Sequence, residues 1–160
     1  MSLNQDVEVL RSIPLFAKIE PSKLKLLAFT SERLEFMAGD ELFHQGDAPD
    51  AAYIILDGVA DVMVDTASGA VKVASLRRND IIGEIAILCD VARTATVVAA
   101  TDLATLRVSK DHFFHLVKDP QIGIEVMHEL ASRLHHTTQA LTAARDRLTR
   151  LDKGAGDSGA

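Results

Sequence analysis

Hydrophobic and polar positions change their spacing twice along the chain. Near the N-terminus apolar side chains recur at helical intervals, at Val7 and Leu10 and again at Leu24 and Leu27. Apolar residues every three or four positions mark one face of a helix. Pro21 suits the first turn of a helix, because the N–H that proline lacks would be unpaired there in any case. The pattern predicts N-terminal helices, one of them beginning at Pro21 or the residue before it.

Between about residues 31 and 109 the pattern changes to short runs rich in β-formers. Turn residues separate these runs, for example Gly46-Asp47 and Asp57-Gly58. The predicted strands cover residues 34–37, 41–43, 52–56, 60–64, 71–76, 95–99 and 104–108. Seven or eight short strands without an intervening long helix indicate a jelly-roll β-barrel.

Helical spacing returns after Ser109, a residue type that commonly caps the start of a helix. Pro120 divides this region into a short and a long helix, and the break is a candidate hinge. On the long helix Leu134, Leu141 and Leu148 recur every seven residues. The complementary positions are Leu130, Thr137, Ala144 and Leu151. This heptad pattern predicts a homodimer formed through the long helix. The alternative is a helix that lies on its own barrel.

Length and composition fit one compact unit. The chain has 160 residues, of which 48% are hydrophobic, enough to fill the core of a single domain. We expect a mainly β domain with flanking helices over residues 1–153, with the barrel at about 31–109 and the C-terminal helices at about 110–152. The Gly-rich tail at 154–160 is predicted to be disordered.

Charge and cysteine content exclude some classes of binding partner and indicate the cellular compartment. A net charge of −6 argues against a nucleic-acid surface, which would show a basic stripe. No apolar run is long enough to predict a membrane span. Cys89, the single cysteine, has no partner for an internal disulfide, which fits a reducing compartment. We therefore expect a cytoplasmic protein with neither DNA nor membrane as its partner.

The strongest chemical signal lies in the apolar run 81–100, where Glu84, Asp90 and Arg93 are the only charged side chains. Gly83 lacks a Cβ, so a ligand can approach its backbone. The residues after it can form a helical turn whose first N–H groups are unpaired and attract anions. Arg93 offers a planar fork to phosphate oxygens, and Glu84 offers acceptors to sugar hydroxyls. One site thus offers binding groups for both the phosphate and the ribose of a ribose phosphate.

Glu84 and Arg93 have two interpretations, an ordinary ion pair and part of a ligand-binding site. Taken alone, Glu84 and Arg93 would be an exposed ion pair that contributes about 0 to 1 kcal/mol. The whole string from residue 82 to 97, however, resembles the phosphate-binding cassette of cyclic nucleotide-binding domains. Segments 13–16, 45–47 and 53–55 also stand in the order of that family, so the resemblance covers roughly residues 10 to 140. The chain departs from the family in having Ile82 for an aromatic and Ala92 for a proline.

The resemblance implies a set of ligand-binding residues. Phosphate and ribose would be bound by Gly83, Glu84, Ile85, Ala86, Arg93, Thr94 and Ala95. In the bacterial catabolite-activator branch a Thr/Ser pair follows an Arg-Leu on the dimer helix and meets adenine. Here residues 133–138 look like that arrangement, with Thr137 and Thr138 as the pair. Val73 and Ala74 would form an apolar floor for the base.

The identity of the base is a separate question from phosphate binding. The Thr pair favours cyclic AMP, because hydroxyls both donate to and accept from the adenine edge. The hydroxyl of Thr94, next to Arg93, could instead hold the amine of a guanine, which keeps cyclic GMP as the alternative.

The expected function is a sensor. Cyclic nucleotide would enter the barrel, and the last helices would close over it by hinging near Pro120. The closed state would then signal to a downstream protein that the sequence does not name. One alternative is a degenerate module that binds no nucleotide and serves only dimerisation or docking.

A second alternative is the effector part of a catabolite-activator-like transcription regulator. That class also carries a helix-turn-helix module, for which too few residues follow the predicted long helix. A third is a metalloenzyme of the cupin type, which needs clustered histidines on strands. Only His44 falls in the strand region, and the other histidines fall on predicted helices. No catalytic constellation is evident either, so we expect a receptor that is not an enzyme and holds no metal.

Overall fold

The structure is a computed structural model that describes residues 3–157 of the chain. Within that part a short 3₁₀ turn, Pro14–Phe16, separates the first two of five α-helices. The helices are α1 Leu3–Arg11, α2 Pro21–Thr30, α3 Glu84–Cys89, α4 Lys110–Val117 and α5 Pro120–Asp157. The strands are β1 Glu32–Phe36, β2 Glu41–Phe43, β3 Ala51–Asp57, β4 Ala60–Thr66, β5 Gly69–Leu76, β6 Ile81–Ile82, β7 Thr96–Ala99 and β8 Leu103–Ser109.

The strands form two four-stranded sheets. One sheet has the order β1-β8-β3-β6 and the other β2-β7-β4-β5. Every neighbouring pair is antiparallel. The two sheets enclose a core between them. Along the chain, α3 lies between β6 and β7, and the other helices precede or follow the strands. The predicted fold class, mainly β with flanking helices around a jelly-roll barrel, is confirmed.

The central strand β3 is buried on both faces, from Ala51 to Leu56. Tyr53 and Ile55 belong to the cluster between the sheets, whereas Ile54 belongs to a second cluster shared with the helices. Because successive side chains of a strand point to opposite faces, a strand covered on both sides reads as a continuous apolar run. The helices therefore pack over one face of the sheet that contains β3.

The helix boundaries follow the predicted signals. Pro21 occupies the first turn of α2. The Ser109 hydroxyl accepts from the backbone N–H of His112 at 3.3 Å and so caps α4. Between α4 and α5 the chain breaks at residues 118–119, as the proline at 120 predicts. A Cβ added at Gly123 would lie 2.7 Å from the carbonyl oxygen of Val117, so glycine allows α5 to begin close against the end of α4.

The long helix α5 has two different halves. Near its start, Ile122 and Val126 are buried in the cluster shared with α2 and α4. Further along, Leu134, Leu141 and Leu148 are each about two-thirds exposed. The side chains of these three leucines therefore do not pack on the barrel of their own chain. None of the helices in the described part of the chain is both long and apolar enough to cross a bilayer.

Two details differ from the sequence-based prediction. Helix α5 extends to Asp157, four residues into the segment predicted to be a disordered tail, and residues 158–160 lie outside the described part. A glycine costs a helix about 1 kcal/mol relative to alanine. Adding a residue to a helix that already exists, however, needs no new nucleation. The strand β6, Ile81–Ile82, is too short to show an alternating pattern and was hidden in the apolar run.

Candidate functional site

Arg93 lies deep in the protein, where backbone carbonyls bind its side chain. It is 3% exposed and follows α3 in the loop that leads to β7. Its Nη1 donates to the carbonyl oxygen of Gly83 at 2.8 Å, and its Nη2 donates to that of Ala51. The guanidinium carbon lies 4.0 Å from the centroid of the Phe43 ring, a cation–π distance. These contacts fix the position of the guanidinium.

The positive charge of Arg93 is only partly compensated. Its nearest carboxylate is Asp50, whose Oδ1 lies 3.5 Å from Nη2, and the Asp50 side chain is 64% exposed. The same carboxylate also binds Arg107 at 3.1 Å. Burial lowers the pKa of Arg93, and Asp50 opposes that shift. The Nε of Arg93 is buried and has no hydrogen-bond partner among the described residues. The site therefore holds a buried cation with capacity for an anion.

Gly83 is required for two separate reasons. Its φ of 86° lies in the left-handed region, which side chains other than glycine rarely adopt. A Cβ at this position would also lie 2.4 Å from Nη1 of Arg93. Gly83 therefore both turns the chain into α3 and leaves the space that the guanidinium occupies.

Glu84, the first residue of α3, is 6% exposed and is bound from the opposite side by α5. Nη1 of Arg133 donates to its Oε1, and Nε of Arg133 lies 3.5 Å from Glu129. Burial raises the pKa of Glu84, and the charge and hydrogen bond of Arg133 oppose that shift. This ion pair joins the cassette to the long helix.

A cavity of about 620 Å³ lies between α3, the second sheet and α5, and we call it the barrel-side cavity. It is lined by all seven residues predicted for phosphate and ribose and by two predicted for the base. These are Gly83, Glu84, Ile85, Ala86, Arg93, Thr94 and Ala95, with Ala74 and Thr137. The structure thus brings the two parts of the predicted site to one cavity.

The other two residues predicted for the base do not line this cavity. Val73 lies at the irregularity in the pairing of β4 with β5, where Val62 pairs with Ala74 and Met63 with Lys72, and is 58% exposed. Val73 is the extra residue of this bulge, where the regular alternation of faces is interrupted, and it stays at the surface while Ala74 lines the cavity.

The two threonines differ for a related reason. Neighbouring helix residues are about 100° apart around the axis, so Thr138 points away from the face that carries Thr137. Each hydroxyl donates to the carbonyl four residues earlier, Thr137 to Arg133 and Thr138 to Leu134, both at 2.9 Å.

Several cavity residues were not predicted from the sequence. On α5 they are Glu129, Ser132, Arg133 and His136, and on β2 the cavity is lined by Phe43. Counted from Glu129, the other three and Thr137 follow three, four, seven and eight positions later along α5. One face of the helix therefore carries all five. Extending the helical period backwards from Thr137 would have found them. The role of Phe43 has no local signal, because only the fold places its ring beneath Arg93.

Among residues 3–157, no three or more His, Cys, Asp or Glu side chains are grouped so that they could hold a metal ion.

Comparison with known proteins matches the chain to a family. The model of the family described as "Cyclic nucleotide-binding domain" matches residues 33–119. The chain is 32% identical over 108 residues to a cAMP-dependent protein kinase regulatory subunit of Aspergillus niger. That alignment covers 68% of this chain and 26% of the relative. The chain therefore spans about a quarter of the length of this curated relative.

Solved structures agree with the family match. One is a mutant regulatory subunit of a cAMP-independent protein kinase A from Trypanosoma brucei, bound to cAMP in its A site. It superposes with a TM-score of 0.71 at 26% identity, over 82% of this chain and 46% of that one. Another is the catabolite activator protein of Thermus thermophilus, with a TM-score of 0.73 at 25% identity, over 80% of this chain and 61% of that one. The chain belongs to the cyclic nucleotide-binding domain family.

Proposed function

We propose that the barrel-side cavity binds a cyclic nucleotide, with cyclic AMP as the best fit, and that the protein serves as a regulatory sensor. The observation that carries this proposal is the state of Arg93. Its guanidinium is buried beside the cavity, and the carboxylate that pairs with it, Asp50, is exposed and shared with Arg107. An incompletely neutralised buried cation is costly, and a bound phosphate removes that cost.

The phosphate is proposed to lie at the start of α3. There the first N–H groups of the helix and the guanidinium of Arg93 converge on the same end of the cavity. Ile85, Ala86, Thr94 and Ala95 supply the surrounding wall and backbone. The carbonyls of Gly83 and Ala51 hold Arg93 before the ligand arrives, so little ordering is needed on binding.

The ribose is proposed to donate a hydroxyl hydrogen bond to Glu84. A carboxylate offers about four acceptor positions, so Glu84 can accept from the ribose while Arg133 also donates to it. The Glu84–Arg133 contact then gives the ligand a direct connection to α5. Ligand contacts at Glu84 that differ between an open and a closed position of α5 would convert binding into closure, with the break before Pro120 as the hinge.

The base is proposed to lie between Ala74 on the sheet and Thr137 on the helix. A Thr hydroxyl can donate to a ring nitrogen or accept from the exocyclic amine of adenine. The matched relative from Aspergillus niger is named as a cAMP-dependent regulatory subunit, which supports cyclic AMP as the ligand. Thr94 also lines the cavity, and its hydroxyl keeps cyclic GMP as the competing ligand.

The signal is proposed to leave the domain through α5. Its exposed leucines follow the heptad pattern of a coiled-coil seam, which suits a homodimer. The regulatory subunits and the activator among its relatives support an output to another protein or domain, such as a kinase or an effector.

Isothermal titration calorimetry of the full chain with cyclic AMP, cyclic GMP and 5′-AMP tests this function. We expect saturable binding of cyclic AMP, weaker binding of cyclic GMP and the weakest of 5′-AMP, whose doubly charged open phosphate does not match the cyclic ester. If neither cyclic nucleotide binds, the alternative of a docking module replaces the sensor.

A further inference from the structure

His136 lies within the face of α5 that lines the barrel-side cavity. Residues of a helix are about 100° apart, so Ser132 and Thr137 mark the edges of that face and His136 lies between them. His135 points about 100° away from His136 and does not line the cavity, although the centroids of the two rings are 6.2 Å apart. One of two adjacent histidines therefore faces the ligand site, and the other does not.

The charged side chains that line the cavity with His136 cancel one another. Glu84 from α3 and Glu129 from α5 bring two negative charges, and Arg93 and Arg133 bring two positive charges. The strands that line the cavity contribute only uncharged side chains. The imidazole of His136 therefore decides whether the lining is neutral or carries one positive charge. A cyclic phosphate diester carries one negative charge, so the protonated imidazole complements the ligand.

His136 also lies close enough to the phosphate site for its charge to act there. It follows Arg133 by three residues, about 4.5 Å along the helix axis, and Arg133 donates to Glu84 at the start of α3. The imidazole is thus within about 10 Å of the place proposed for the phosphate, about one Debye length at 0.1 M salt. Attraction between unit charges at that distance, in a partly solvated cavity, changes the affinity by about threefold.

We propose that His136 makes cyclic nucleotide binding depend on pH. A proton from the solvent binds its imidazole when the anionic ligand enters the cavity, so the nucleotide binds more tightly in mildly acidic solution. An imidazole suits this role because its charge changes between about pH 5 and 8. By linkage, the ligand favours the proton by the same factor by which the proton favours the ligand. This inference rests on the cyclic nucleotide proposed above as the ligand.

The position of His136 also suits a test by substitution. The side chains of His135 and His136 are both exposed, so either imidazole can exchange protons with the solvent. Both positions lie outside the predicted heptad seam, which repeats from Leu134 to Leu141 and Leu148. Replacing either histidine should therefore leave the fold and the proposed dimer intact.

Glu84 is the other group of the cavity that can contribute to a pH dependence, because burial raises its pKa. Its protonation removes the charged acceptor for the ribose and should weaken binding in acid. That effect has the opposite sign to the effect of His136. A substitution at His136 leaves Glu84 in place, so the difference between the wild type and the variant isolates the imidazole.

Calorimetric titration of the full chain with cyclic AMP, in PIPES and in Bis-Tris, measures the number of protons taken up, because the ionisation enthalpies of these buffers differ. At about pH 6.5, His136→Gln should take up about 0.3 proton fewer per nucleotide than the wild type, which is the uptake that a threefold coupling gives. The affinity of the wild type relative to His136→Gln should be about threefold higher at about pH 5.5 than at about pH 8. His135→Gln is the matched control and should behave as the wild type.

A third variant keeps the charge but not the titration. His136→Lys is positively charged throughout this pH range, so it should take up as few protons as His136→Gln while binding cyclic AMP about threefold more tightly at about pH 8. Equal proton uptake by the wild type and His136→Gln, or the same loss in His135→Gln, would overturn the role of His136 and leave the proposed function standing. If neither cyclic nucleotide binds the wild type, both proposals are wrong.

Discussion

The two walls of the barrel-side cavity differ in how deeply their ligand-binding side chains are buried and in how firmly those side chains are held. On the barrel wall Arg93 and Glu84 are at least 94% buried. The Gly83 carbonyl holds Arg93 at the start of α3, whereas Glu84 is bound by Arg133 of α5. On the α5 wall Thr137 is exposed, and its hydroxyl donates to the Arg133 carbonyl of its own helix. The phosphate half is thus preorganised, whereas the base half can adjust with the helix. Ligand affinity should depend most on the barrel wall, and ligand choice most on the helix wall.

The largest expected effect comes from removing the fixed cation. Arg93→Ala should weaken cyclic AMP binding by about 100-fold, because two charge-assisted hydrogen bonds to phosphate are lost. Arg93→Lys keeps the charge but not the fork, and should lose about tenfold. Calorimetry measures both affinities, with thermal unfolding as the check that the variants fold. Unchanged affinity in Arg93→Ala would show that the phosphate lies elsewhere.

The second effect concerns the free half of α5. Leu141→Lys places a charge in the predicted seam and should weaken the dimer by about 30-fold or more. Gln139→Lys adds the same charge on the far side of the helix and should leave assembly unchanged. Sedimentation equilibrium measures the dissociation constants. A wild-type protein that is monomeric at all accessible concentrations would contradict the proposed dimer.

The third effect tests the contact that joins the two walls. Glu84→Gln removes the charged acceptor for the ribose and should weaken cyclic AMP by about tenfold. Glu129→Gln is the matched control, since Glu129 also contacts Arg133 but its side chain is 53% exposed. That control should change the affinity by less than about threefold. Equal losses in the two variants would mean that the acidic face in general, and not Glu84, binds the ligand.

Substitutions on the α5 wall should change the affinity for cyclic AMP by less than those on the barrel wall, and only at the position that lines the cavity. Thr137→Val removes one hydroxyl of nearly constant volume and should weaken cyclic AMP by about fivefold, the value of one neutral hydrogen bond. Thr138→Val makes the same chemical change one position along and should have no effect, because Thr138 does not line the cavity. The reverse ranking in calorimetry would place the base on the other face of α5.

The smallest effect is a pH dependence of stability. Because the pKa of Glu84 is raised above its ordinary value of 4.5, the folded protein takes up this proton more readily than the unfolded chain does. The contribution of Glu84 to stability is therefore greatest below 4.5 and is lost as the pH rises through the folded pKa. Without nucleotide, the Tm of the wild type relative to Glu84→Gln should be higher at about pH 5 than at about pH 7. Parallel Tm curves for the two proteins would mean that Glu84 ionises normally.

Much of this molecule was predictable from its sequence, because the signals are local. The turn residues between the strands, Pro21 and Ser109 at helix starts and the glycine before Glu84 each act within a few residues of themselves. The charge pattern of the run 81–100 likewise predicted the cassette, since few charged side chains occur in such apolar surroundings. Two of the residues predicted for the base, Val73 and Thr138, do not line the cavity. The sequence pattern grouped each of them with its neighbour, and only the fold shows which of the two neighbours faces the cavity.

The sequence by itself determined the order of the elements, the helical and strand-like spacing of the apolar residues, and the family to which the chain belongs. Tertiary structure alone decided which groups surround Arg93, since Phe43, Ala51 and Asp50 lie more than forty residues away along the chain. It alone also brought Arg133 to Glu84, 49 residues apart, and buried the side-chain oxygen of Asn79 without a hydrogen-bond partner among the described residues. Burial and charge balance depend on contacts between distant segments, and a local pattern carries no information about those contacts until the chain has folded.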